Sequence, residues 1–212
     1  MIKAIFWDND GVLVDTESLY YQASAETLQA RGIELTPAAF AEISLRQGES
    51  VFDLAAHLTP VETDQLRLQR NARYSELLQQ RSTVIAGVEE TLRALHGRVR
   101  MAIVTSSRRD HFELIHAASG LLGYFDFVLT REDYRQSKPH PEPYLSALAR
   151  SGLVADQCLA IEDSERGLTA ACRAGLRCLA IPAPLAPLGH FSAAFRILKS
   201  VREVPGVIFG RS

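Results

Sequence analysis

The sequence predicts an α/β fold: a parallel sheet covered by helices on both faces, interrupted early by an all-helical insert. Three observations carry this. The chain opens on a short apolar run, Ile2 to Trp7, that ends in acidic residues and Gly11. From about Glu17 to Gln80 the apolar spacing is helical. From Val84 onward strand-like apolar runs alternate with helical ones, the pattern of βαβ units.

Taken in order, residues 2–7 read as a buried strand. Leu19 with Ala23, and Tyr21 with Ala25 and Leu28, give helical spacing that Gly32 stops. Thr36-Pro37 is a helix cap followed by proline at the first helical position, opening a helix through about Leu45. Ser50 with Asp53 is a capping-box variant at the head of Val51 to Leu58. Thr59-Pro60 starts a longer, charged helix through Gln80. These four helices form one compact insert, so the expected division is residues 1–15 and 84–212 as the core and 16–83 as the insert.

In the second part the expected helices are Val88–His96, Arg109–Ala118, Glu142–Arg150 and Gly167–Ala174. The strands between them are Val99–Val104, Phe125–Leu129, Cys158–Ile161 and Arg177–Ile181. The tail from Pro182 is proline-rich, with short apolar pieces at Phe195–Leu198 and Val207–Phe209.

A chain of 212 residues can bury a proper core. Its net charge of −2 gives no electrostatic reason to expect nucleic acid or an anionic membrane surface as partner. No apolar run is long enough to span a bilayer, and the N-terminus does not resemble a secretory signal. Cys158, Cys172 and Cys178 lack zinc-site spacing and sit in apolar surroundings. They read as reduced thiols, in keeping with a cytoplasmic location.

Chemistry concentrates at the strand ends. Asp8 and Asp10 follow the first strand, where open α/β sheets place their ligands. Thr105-Ser106-Ser107 follows the strand ending at Val104, and hydroxyls with free backbone N–H groups at such a turn suit a phosphate. Lys138 lies in a loop braced by Pro139, Pro141 and Pro143, which hold it in one place. Glu162-Asp163 follows the strand ending at Ile161. Adjacent acids there are costly unless solvated, paired or metal-bound, and their hard oxygens suit magnesium.

In this order (acidic pair, hydroxyl, lysine, acidic pair) the chain resembles the haloacid dehalogenase superfamily of phosphoryl-transfer enzymes, up to about Pro182. The string Asp10-Gly11-Val12-Leu13-Val14-Asp15-Thr16-Glu17 resembles its phosphatase and β-phosphoglucomutase subgroup. The resemblance implies a Rossmann-like core with the helical insert as a cap. It also implies a magnesium-dependent phosphatase acting on a small phosphorylated metabolite through an aspartyl-phosphate. Asp8 then corresponds to the nucleophile and Asp10 to the general acid and base. Thr105 would bind a phosphoryl oxygen, and Lys138 would neutralise charge. Asp8, the carbonyl of Asp10, Glu162 and Asp163 would hold Mg2+. Thr16, Ser106, Ser107, Arg46 and Arg70 are the candidate substrate contacts.

Within that family, dehalogenases lack the second aspartate, so Asp10 disfavours dehalogenation. The insert contains no lysine, which disfavours imine-forming phosphonate cleavage. The β-phosphoglucomutase alternative meets Tyr20 and Val51 where those enzymes carry a histidine and a phosphate-gripping arginine. A catalytically silent binding module is the alternative of another class, but such relatives lose acids that are intact here. A monomer is expected, because a mobile cap excludes solvent without a partner subunit.

Overall fold

The computed structural model describes residues 1–80, 84–182 and 191–210. The expected proline-rich stretch beyond Pro182 lies largely outside the described residues. So do the last residues of the insert, up to its expected boundary at 83. Among the described residues six strands form one parallel sheet. They are β1 (Ala4–Trp7), β2 (Arg100–Val104), β3 (Phe127–Leu129), β4 (Cys158–Glu162), β5 (Arg177–Ala180) and β6 (Arg196–Ile197). Their order is β3-β2-β1-β4-β5-β6, all neighbours parallel. The order reverses at β1, and ligands bind outside the carboxyl ends of the strands at such a switch point.

Alternation along the strands sorts the core into two layers. Ile5, Trp7, Met101, Ile103, Leu159, Ile161 and Leu179 face one side. There they meet α4 (Val88–Leu95), α5 (Arg109–His116) and α8 (Val204–Phe209). Ala4, Phe6, Ala102, Val104, Ala160 and Cys178 face the other, against α6 (Glu142–Ser151) and α7 (Glu165–Arg173). The expected strands and helices of the core are all present, with ends shifted by up to two residues. Cys158 and Cys178 are buried, and Cys172 lies at the core's edge. The tail adds β6 at the sheet edge and α8 beneath α4, which its short apolar pieces did not define.

Between β1 and α4 the chain builds the helical insert from α1 (Glu17–Gln29), α2 (Pro37–Phe40) and α3 (Pro60–Gln80), with two irregular segments. The Thr36 hydroxyl caps α2 by accepting the Ala39 N–H, as its sequence suggested. The helix then widens into π-type turns over Ala41–Gln47 and stops at Gly48 in left-handed geometry. The expected helix Val51–Leu58 is a 3-10 segment, Val51–Ala55, capped by Ser50. Phe40, Val51, Phe52, Leu28 and Leu66 pack into the insert's own apolar cluster. A second cluster, including Leu19, Tyr74, Leu77 and Leu78, packs against Leu114 and Ile115 of α5 and seats the insert on the core. No described helix is long and apolar enough to cross a membrane.

Candidate active site

Asp8 continues β1, its N–H donating to the Ile161 carbonyl of β4 at 2.9 Å. The chain then turns tightly. The carbonyl of Asn9 accepts the N–H groups of Leu13 and Val14 at 2.8 and 3.1 Å, so Asp8 and Asp10 flank a closed loop. Gly11 is required at its apex. Its φ is +78°, and a Cβ there would fall 2.0 Å from Asp163 Oδ2. The two acidic segments approach that closely only because this side chain is missing.

Lys138 is buried, with its ammonium shared among three oxygens. It donates to Asp8 Oδ1 at 2.9 Å and to the Val104 carbonyl at 2.9 Å, and lies 2.7 Å from Glu162 Oε1. The proline-braced loop thus delivers the lysine between the ends of β1, β2 and β4. Burial alone would lower the Lys138 pKa, but Asp8 and Glu162 outweigh it and hold the group charged. Burial, reinforced by Glu162, pushes Asp8 up to about 7 against the pull of Lys138. Burial raises Asp163 well above the carboxylate range, with Glu17 and Asp8 adding to it. Burial and the Asp10 charge lift Glu17 to about 7.

One oxygen from each of Asp8, Glu162 and Asp163 lies within 4.8 Å of the others. Glu162 is fully buried, and its Oε2 has no hydrogen-bond partner. An orphaned buried carboxylate oxygen beside two crowded acids fits a hard divalent cation.

Asp10 faces a different set of partners. Hydroxyls of Thr16, Ser107 (2.6 Å) and Thr105 (3.2 Å) donate to its carboxylate. Its side chain is not among the three carboxylates that converge at Asp8, Glu162 and Asp163. Thr105, the expected phosphate contact, lies against Asp10. Its hydroxyl is committed to Asp10 and accepts the Ser107 N–H, and the residue does not line the cavity. Ser106 lines it instead, with a buried hydroxyl that has no hydrogen-bond partner among the described residues.

These groups open into one cavity of about 400 Å³ between the sheet and the insert. The core contributes Asp8, Asp10, Ser106, Ser107, Lys138 and Asp163; the insert contributes Tyr20, Ser44, Glu49, Arg70 and Tyr74. Arg70 stacks over Tyr20 at 4.4 Å, and its Nε donates to Asn71 Oδ1 at 2.9 Å. Burial lowers its pKa, with the Arg67 and Arg108 charges adding to it, and it forms no ion pair among the described residues. Arg46 is not brought into the cavity. It pairs with Glu42 at 3.0 Å and reaches Glu165 of α7 in the core at 3.7 Å.

Several cavity residues escaped the sequence reading. Glu17 sits inside the recognised string, and its place beside Asp10 was the available signal. Arg166 follows the Glu162-Asp163 pair and was within reach of the same reasoning. Tyr74, His111 and Arg108 come from helical faces whose direction only packing decides.

The profile of haloacid dehalogenase-like hydrolases matches residues 5–181. The CbbY protein of Rhodobacter capsulatus is 31% identical over 209 residues, 91% of either chain. Fructose-1-phosphate phosphatase YqaB of Escherichia coli is 29% identical over 178 residues, 81% of this chain and 92% of the relative. A crystal structure of a CbbY variant from Rhodobacter sphaeroides in complex with xylulose-1,5-bisphosphate superposes with a TM-score of 0.82. It has 25% identity and covers 96% of both chains. On the family match over most of its length, and on the acids, lysine and cavity already described, the chain belongs to the haloacid dehalogenase-like hydrolases, as an enzyme that hydrolyses phosphomonoesters.

Proposed function

We propose that the protein is a magnesium-dependent phosphatase that cleaves a small phosphorylated sugar through an aspartyl-phosphate on Asp8. The observation that carries this is the pairing of Asp8 with Lys138 at 2.9 Å, two residues from Asp10, at the floor of one cavity. Lys138 keeps the Asp8 carboxylate oriented and opposes the repulsion between it and an incoming phosphate dianion. Asp8 attacks phosphorus, and the leaving oxygen takes its proton from Asp10. Asp10 then removes a proton from the water that hydrolyses the acyl phosphate. The hydroxyls of Thr16, Thr105 and Ser107 hold Asp10 ready for both steps, and the free hydroxyl of Ser106 is placed to donate to a phosphoryl oxygen. Asp8, Glu162 and Asp163 would hold a magnesium ion, whose charge when bound stabilises the transferring phosphoryl group.

The sugar assignment draws on the wall opposite Asp8. Ser44, Glu49 and Asn71 offer hydrogen bonds to hydroxyls, while Arg70 offers a guanidinium with no carboxylate beside it. The relatives named for fructose 1-phosphate and solved with a sugar bisphosphate support the same class. The test is phosphate release from p-nitrophenyl phosphate and from a panel of sugar phosphates, with magnesium and with EDTA. Release that needs magnesium and is highest on a sugar phosphate is the expected result. Equal release in EDTA would overturn the metal dependence, and preference for nucleotides would overturn the sugar.

A further inference from the structure

Glu162 is fully buried, yet Lys138 meets only one of its two oxygens. A second group shares that oxygen. The hydroxyl of Tyr144, from the first turn of α6, donates to Glu162 Oε1. Tyr144 is itself fully buried, lies 18 residues before Glu162 and outside the acidic motifs, and its ring lies 5.3 Å from the Lys138 ammonium. The other oxygen, Oε2, lies over Gly167, where a Cβ would fall 1.8 Å away, and has no hydrogen-bond partner. Two donors therefore crowd one oxygen while its twin is left bare. A carboxylate free to turn about its last torsion would share its donors, so something must hold it. Lys138 alone does not, because its ammonium is also committed to Asp8 and to the Val104 carbonyl.

We propose that Tyr144 is a positioning residue for the metal site. Its hydroxyl pins Glu162 Oε1 to the lysine side and keeps Oε2 free as a ligand for a divalent cation. This rests on the metal site proposed above, and deepens it by assigning its geometry to a residue that touches neither substrate nor cation. Partners of metal ligands typically contribute 10–100-fold to metal affinity.

The test is calorimetric titration of the metal-free protein with magnesium chloride, so that binding is read without turnover. Tyr144→Phe keeps the ring and its packing and removes only the hydroxyl. Its Kd for magnesium is expected to rise about 10-fold or more. Leu148→Ala, a packing change on the same helix, is expected to lower the melting temperature and leave the Kd within about twofold. A merely structural Tyr144 would instead follow the Leu148→Ala pattern, and a Tyr144→Phe Kd within about twofold of wild type overturns the proposal. Wild-type protein that binds no magnesium overturns it as well. Wild-type protein that binds magnesium but hydrolyses no phosphomonoester overturns the phosphatase function and leaves this assignment to be decided by the two Kd values.

Discussion

His116 Nε2 lies 2.8 Å from Asn9 Oδ1, joining the end of α5 to the turn that carries Asp8 and Asp10. Both residues are buried. Because Asn9 presents its carbonyl oxygen, the imidazole donates from Nε2, and Nδ1 accepts from the Ser119 hydroxyl at 2.9 Å. The neutral ring satisfies both partners. The buried histidine gives the Asn9 side chain its partner.

The pair makes stability depend on pH. Burial lowers the His116 pKa from 6.5 to about 4, with the Asp10 charge opposing only in part. Between those values the unfolded chain binds more protons than the native one, so stability is fully present above about 6.5 and falls as the solution is acidified towards 4. The loss from this group is about 2 kcal/mol between pH 7.5 and pH 5. Urea denaturation at the two pH values should show it. His116→Gln keeps a donor for Asn9 without a titrating ring and should flatten that dependence. An equally steep acid loss in the variant would place its origin elsewhere.

Asp8 titrates in the opposite sense. Burial and Glu162 raise it to about 7, so the metal-free native state prefers it protonated. This contribution is complete below the ordinary value of 3.8 and is lost as pH rises through about 7. Asp8→Asn removes the charge that is penalised while keeping an acceptor for Lys138. In EDTA at pH 8 the variant should melt at the same temperature as wild type or a few degrees higher, yet turn over no phosphomonoester. Magnesium should raise the wild-type melting temperature more than the variant's, because one of the three carboxylates proposed to hold it is gone. Near-native turnover by Asp8→Asn would sink the nucleophile assignment.

Gly11 should tolerate no side chain. Gly11→Ala puts a Cβ 2.0 Å from Asp163 Oδ2 and imposes a φ of +78° on an L-residue. Either the loop or Asp163 must move. The expected cost is 1 kcal/mol or more of stability, with phosphatase activity down by at least 100-fold. Gly97→Ala has the same positive φ with nothing within 4 Å of the new Cβ, so it isolates the backbone cost. A Gly11→Ala enzyme no worse than Gly97→Ala would show that the close approach to Asp163 does not matter.

The sheet and the chemistry at its edge were legible because both follow from local rules. Apolar runs of strand length, each ending in a polar group, give the parallel sheet and bring Asp8, Lys138, Glu162 and Asp163 to one edge. The prolines around Lys138 signalled a fixed loop, and the lysine is buried where that loop ends. What escaped depends on orientation. Arg46 and Arg70 are both arginines on helical segments of the insert, but the π-type turns over Ala41–Gln47 turn Arg46 to Glu42 and Glu165 while α3 brings Arg70 over Tyr20. No spacing rule separates them. Thr105 shows the same limit: a hydroxyl at a strand end can donate to the neighbouring aspartate as readily as to a ligand, and spacing does not choose between them.

Arg70 carries the prediction about specificity. It is a half-buried guanidinium stacked on Tyr20, its pKa lowered by burial and by Arg67 and Arg108, with a neutral amide as its hydrogen-bond partner. A cation in that position gains most when a substrate brings an anion or several hydroxyls to it. Arg70→Met preserves much of the packing stem and removes the charge. Its kcat/KM on the preferred sugar phosphate should fall about 10–100-fold, chiefly through KM, a loss of about 1.4–2.7 kcal/mol of substrate binding. On p-nitrophenyl phosphate, which brings neither hydroxyls nor a second anion to Arg70, the change should stay within about threefold. Melting temperature should hold or rise slightly, because the variant removes a desolvated charge with no carboxylate partner. Equal losses on both substrates would mean that Arg70 supports the fold of the cavity wall and does not read the substrate.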